Sequence, residues 1–197
     1  LIGGMGRDVL AGGSGNDVIG GDTSYDPIDA TPNDALPHRL WYPAFPGAYD
    51  ITQGDDDILF GGNGNDRIYG DGGDDGLSGG DGDDMLVGGI GSDTLFGDGG
   101  NDYLAAAGRI VDSSPADYDV LDGGDGVDVL FGGAGFNLLF GGTGNDEFRN
   151  GTGDTIAFGG EGNDTYWATA SGYSEFYGEA GNDLLRGGLG ESHLDGG

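Results

Sequence analysis

Along most of this chain a single apolar residue returns every ninth position, and the residues between are mostly small or acidic. Gly3-Gly4-Met5-Gly6-Arg7-Asp8-Val9-Leu10-Ala11 is followed at once by Gly12-Gly13-Ser14-Gly15-Asn16-Asp17-Val18-Ile19-Gly20. The pattern is Gly-Gly-x-Gly-x-Asp-x-apolar-x. Full Gly-Gly-x-Gly-x-Asp turns recur from Gly61, Gly79, Gly88, Gly123, Gly141 and Gly159, and near matches begin at Gly21, Thr52, Gly70, Gly97, Ser114, Gly132, Gly178 and Gly187. In a strand, successive side chains face opposite ways. The residue at place eight therefore points inward while places seven and nine point out. The pattern predicts short strands joined by glycine turns and stacked as a solenoid. The expected inward residues are Leu10, Ile19, Leu59, Ile68, Leu77, Leu86, Leu95, Leu104, Leu121, Leu130, Leu139, Phe148, Tyr166 and Leu185.

Composition sharpens this picture. The chain has 49 Gly, 36 acidic residues and only 6 Lys plus Arg, for a formal charge of -30. Such a chain either stays solvated and disordered or is neutralised by cations, and charge alone does not choose. The spacing of the acids does. Glycines at places one, two and four permit backbone angles closed to other residues, so carbonyl oxygens can turn toward one point. Aspartate at place six adds carboxylate oxygens. Calcium takes roughly six to eight oxygens at about 2.3–2.6 Å, and two such turns can supply them. Without an ion, aspartates stacked about 5 Å apart would repel by roughly 3 kcal/mol per pair at an effective dielectric near 20. Folding and metal binding are therefore expected to be one event. The candidate calcium ligands at place six are Asp8, Asp17, Asp26, Asp57, Asp66, Asp75, Asp84, Asp93, Asp102, Asp119, Asp128, Asp146, Asp164 and Asp183. The place-one glycines Gly3, Gly12, Gly61, Gly79, Gly88, Gly123, Gly141 and Gly159 complete the candidate site.

On these turns the chain resembles the RTX (repeats-in-toxin, hemolysin-type) arrays of bacterial exported proteins. The resemblance covers nearly the whole chain except Ala30 to Ile51. It implies an all-β fold, a right-handed parallel β-roll (β-solenoid) with two nonapeptides per coil and calcium between turns of repeats i and i+2. The expected layout is repeats over 1–29, a proline and aromatic insertion over 30–51, repeats over 52–105, an irregular turn over 106–113, and repeats over 114–197 with one edge degenerate. Both chain ends fall inside a repeat, which predicts a piece of a longer protein.

The register makes a finer expectation. Alternate repeats share an edge. Asp57, Asp75 and Asp93 lie on one, and Asp66, Asp84 and Asp102 on the other. In the second half Asp128, Asp146, Asp164 and Asp183 continue one edge. The other carries Asp119, then Asn137, Thr155, the irregular stretch Ala168–Tyr177, and Ser192. Few or no calcium sites are expected on that edge beyond Asp119, unless Asn and backbone carbonyls hold weaker ones. The outward residues Leu138, Phe140, Ile156, Phe158 and Tyr177 form an apolar stripe. Such a stripe suits either a protein or polysaccharide partner or simply a strand. The insertion holds four prolines beside Trp41, Tyr42, Phe45 and Tyr49. Its aromatics either meet a sugar or partner protein, or fold over the flank of the roll.

Several classes are disfavoured. Nucleic acid needs clustered cations. No apolar run reaches the ~18 residues of a membrane helix. Cysteine is absent, His38 and His193 stand in different contexts, and no zinc-protease or EF-hand motif occurs. The resemblance implies a non-catalytic calcium-binding segment of a protein exported by type I secretion machinery, folding outside the cell. The alternatives are a cell-surface adhesin or surface-layer array, and an accessory binding module of a secreted polysaccharide-active or other hydrolytic enzyme.

Overall fold

In the computed structural model residues 1–3, 7–21, 54–107, 117–168 and 172–197 are described. All regular structure among them is strand. The elements are β1 (Val9–Ser14), β2 (Val18–Gly20), β3 (Ile58–Asn63), β4 (Arg67–Gly72), β5 (Gly76–Asp81) and β6 (Met85–Ile90). They continue with β7 (Thr94–Gly99), β8 (Tyr103–Ala105), β9 (Tyr118–Asp125), β10 (Val129–Phe131), β11 (Phe136–Thr143) and β12 (Glu147–Arg149). The last are β13 (Asp154–Glu161), β14 (Thr165–Trp167), β15 (Ser174–Ala180), β16 (Leu184–Arg186) and β17 (Ser192–Asp195).

The odd strands form one parallel sheet in chain order and the even strands form the second. Each coil therefore spends one nonapeptide on each sheet, as the alternation of repeats predicts. The place-eight residues stack in two facing files. Leu59, Leu77, Leu95, Leu121, Leu139, Ala157 and Phe176 run down the odd sheet. Ile19, Ile68, Leu86, Leu104, Leu130, Phe148 and Tyr166 run down the even sheet. All of these are buried, and Leu10, Leu185 and Leu194 pack against them partly covered. The small Ala157 is offset by larger neighbours. Phe176 stacks on Tyr166 with ring centroids 4.7 Å apart and meets Phe148 edge-on at 5.2 Å.

The turns depend on glycine where φ is positive. In the turn from Gly141, Gly142 has φ 101 and Gly144 has φ 136. A β carbon on Gly142 would collide with the carbonyl of Gly124 one coil earlier. Three turns put an acid at place two instead: Asp71, Asp98 and Glu179, with φ 75, 72 and 65. Each bears the strain of a left-handed side-chain-bearing residue.

The outward stripe is an internal stack. Phe140 and Phe158 have ring centroids 5.4 Å apart and Phe158 and Tyr177 5.2 Å apart, all nearly parallel. Their ring faces are turned toward each other along the sheet.

Candidate metal sites

Every described place-six aspartate lies at the start of a strand, where the glycine turn delivers it inward. Two files result. On one edge the N–H of Asp17 donates to Asp66 Oδ1, and the relay continues through Asp84, Asp102, Asp128, Asp146 and Asp164 to Asp183 at 2.5–2.9 Å. On the other edge the same relay joins Asp8, Asp57, Asp75, Asp93 and Asp119 at 2.6–3.0 Å. The two edges are thus populated as the register predicts. Asp26 lies outside the described residues, as do Gly4, residues 30–51 and most of 106–113.

Oδ1 is satisfied by this relay; Oδ2 is different. In Asp8, Asp17, Asp66, Asp84, Asp93, Asp102, Asp128, Asp146, Asp164 and Asp183 it is buried and meets no hydrogen-bond donor. The place-one glycine shows what it faces instead. A β carbon on Gly123 would meet Asp128 Oδ2 and stand 2.7 Å from the Gly141 carbonyl oxygen of the next coil. On Gly159 it would meet Asp164 Oδ2 and stand 2.6 Å from the Gly178 carbonyl. Gly12, Gly61, Gly79, Gly88 and Gly141 stand in the same cradle, each beside an aspartate Oδ2 and a following carbonyl, and Gly3 stands beside Asp8 Oδ2.

A buried carboxylate oxygen without a donor is costly unless a cation or proton neutralises it. Burial, reinforced by the neighbouring aspartates and opposed by the N–H bonds, pushes Asp93 up to about 8. Burial likewise pushes Asp102 and Asp146 up to about 7 and Asp128 to about 6. Asp84 and Asp164 are raised for the same reason. The donor set is all oxygen, carboxylate and carbonyl, which suits a hard divalent ion and specifically the large, irregular shell of calcium. Among the described residues no three acidic, histidine or cysteine side chains converge on a point. An ion here would need backbone carbonyls as well as carboxylates.

Three features escape the repeat pattern. Gly21 opens a turn whose carboxylate comes from Asp57, because a β carbon on Gly21 would meet Asp57 Oδ2. Asp57 thus serves the turn that Gly21 opens, and β1 pairs directly with β3. Place five forms a second, outer ladder. The Asn65 N–H donates to Asn16 Oδ1, and Asn163 donates to Asn145 through both its N–H and its Nδ2. The recurring Gly-Asn-Asp was its signal. Finally, one extra residue before β15 places Ser174, paired with Thr155 and Ser192, at the aspartate position.

A parallel solenoid with buried, donorless carboxylates filed along its turns is a repeat protein whose turns suit cations. The RTX calcium-binding nonapeptide repeat (4 copies) matches residues 1–26, 51–86, 78–108, 122–157 and 158–194. The chain belongs to this calcium-binding repeat family, whose members are typically secreted bacterial proteins. Comparison with curated proteins gives no match. Among the described residues no helix is long and apolar enough to cross a membrane.

Proposed function

We propose that this chain is the calcium-folded segment of a bacterial protein that leaves the cell by type I secretion. The aspartates of both files are its ligands, and it has no catalytic role of its own. The observation that carries this reading is the file of buried Oδ2 atoms, most of them beside a place-one glycine and a carbonyl oxygen of the next coil. In low calcium the carboxylates repel and the coils do not stack. In the millimolar calcium outside a cell the ions bridge them, and the binding free energy becomes folding free energy. The test is far-ultraviolet circular dichroism during a calcium titration. A cooperative gain of β signal is expected, with little response to magnesium, which holds to stricter octahedral geometry. An equally sheet-rich spectrum in excess chelator would sink the reading.

A second reading, an accessory binding module of a secreted enzyme, draws on the outer face of the even sheet. There a groove of about 720 Å³ is lined by Phe131, Arg149, Asn145, Asn163 and Trp167. Arg149 lies 6.0 Å over the Phe131 ring and Arg186 lies 5.5 Å over Trp167. Saturable quenching of Trp fluorescence by an oligosaccharide in the wild type, abolished by Trp167→Phe, would support it.

A further inference from the structure

The edge that begins with Asp8 changes its chemistry after Asp119. We infer that from β11 to β15 this edge is held without metal: side-chain amides take the place of the ions, and uncharged hydroxyls take the place of the carboxylates. The inference rests on the calcium reading of the intact turns.

At the intact turns Oδ1 reaches back to the coil before and Oδ2 is left for a cation. Asn137 stands at the same register position, opposite Asp119 and Thr155, and is fully buried. Its Oδ1 accepts the Gly133 N–H of its own turn at 2.8 Å. Its Nδ2 donates to the carbonyls of Ala134 and Asp154 at 3.3 and 3.4 Å. The side-chain oxygen is thus given an N–H donor, and a nitrogen that donates to two carbonyls stands in place of the second carboxylate oxygen. An amide nitrogen is no ligand for calcium, which binds oxygen, and its hydrogens carry positive charge toward those carbonyls.

The next coil fills the cradle outright. Place one is glycine at the intact turns, because a β carbon there would run into the carboxylate and the following carbonyl. Here it is Asn150, buried to 1% exposure, with Nδ2 donating to Ser174 Oγ at 3.0 Å. One coil on, Ala168 holds the same place, also buried. The aspartate positions facing them are Thr155 and Ser174, neutral at every ordinary pH. With no charge to cancel, the repulsion that makes the ion necessary is gone. Contacts absent from the first coils appear over the same span. β11 and β13 have eight residues against six in β3 and β5. The Phe148, Tyr166 and Phe176 rings pack inside, and Phe140, Phe158 and Tyr177 stack outside.

The test counts and places the ions. Anomalous scattering from crystals of the whole chain grown in calcium should show peaks along the Asp17–Asp183 file and along the other edge as far as Asp119. None should appear beside Asn137, Thr155 or Ser174. Native mass spectrometry of a variant carrying Asn137→Asp, Asn150→Gly and Thr155→Asp should show two additional calcium ions per chain. Anomalous peaks beside Asn137 or Thr155 in the wild type would overturn the inference. So would a variant that folds with an unchanged ion count. Should the variant not fold, the wild-type ion map decides alone. Absence of ions everywhere would instead remove the calcium reading itself, a distinct outcome.

Discussion

The two edges of the roll have been treated very differently. The edge from Asp17 to Asp183 keeps one aspartate in every described coil and a near-constant spacing of 18 residues wherever neighbouring coils follow directly. The other edge, where each even strand is followed by an odd one, takes the departures in repeat length. In the sequence, residues 22–53 fall between β2 and β3, residues 108–116 between β8 and β9, and residues 169–171 between β14 and β15. The lost aspartates lie on that edge too. One unbroken file is enough to keep the coils in register, because each aspartate bonds to its counterpart in the next coil. Once it is kept, turns on the opposite side can lengthen or change ligand chemistry at modest entropic cost. Where the spacing on the conserved edge does lengthen, to 49 and 26 residues, the aspartate relay still joins consecutive coils.

The sharpest way to break this comparison is to remove one carboxylate from the unbroken file. Asp146→Ala should raise the calcium midpoint of folding by roughly tenfold or more, since two coils lose a ligand and metal binding is folding here. The matched change Thr155→Ala on the other edge removes a buried hydroxyl that has no hydrogen-bond partner, so it should shift the midpoint by less than about twofold. Calcium titrations followed by circular dichroism compare the two directly, and equal shifts would end the distinction.

Glycines give the next largest contrast. A β carbon at Gly141 would meet Asp146 Oδ2, the Gly159 carbonyl and, at 2.8 Å, the Phe148 ring. Gly141→Ala should cost about 1–3 kcal/mol by overpacking, beyond any loss of metal. At Gly132 the nearest atoms, all of Asn137, would stand 3.3–3.5 Å away, so Gly132→Ala should cost well under about 1 kcal/mol. Thermal melts in saturating calcium read both.

Protons should substitute weakly for the ion. Asp93, Asp102, Asp128 and Asp146 bind protons more tightly folded than unfolded, because burial raises them to about 8, 7, 6 and 7. Their contribution to the metal-free fold is complete below about pH 4 and is lost as pH rises from there toward about 8. In excess chelator, β signal should therefore grow on acidification from pH 8 to 5. In limiting calcium, the same acidification should weaken ion binding through competition. A chelated chain equally unfolded at both pH values would contradict this.

The smallest effect concerns the outer stripe. Phe158→Ala breaks two ring stacks and should lower stability by about 0.5–1.5 kcal/mol per stack at most. It should leave the calcium stoichiometry unchanged, as a titration against native mass would show.

Much of this was legible in the sequence, because a strict period turns local chemistry into geometry. Asp146 and Leu86 each have one place to go once the coil length is known. The two edges, the inward files and the halt at Asp119 all follow from counting. What counting misses is what happens when the count slips. The extra residue before Ser174 and the added sequence after Gly21 shift which aspartate or serine completes a turn, and only spatial pairing reveals that Asp57 answers Gly21. The amide of Asn137 was visible as a lost carboxylate. Its turn inward to Gly133 was not, because side-chain direction depends on neighbours the period does not specify.

The relay of aspartates also gives the roll a direction. Each aspartate accepts from the coil behind through Oδ1 and offers its own N–H and Oδ2 to the coil ahead. The two ends of the stack are chemically unlike, one ready to receive a donor and the other ready to give one. Such a column is a polar filament in miniature, and any continuation of it, by more chain or by another molecule, must join head to tail.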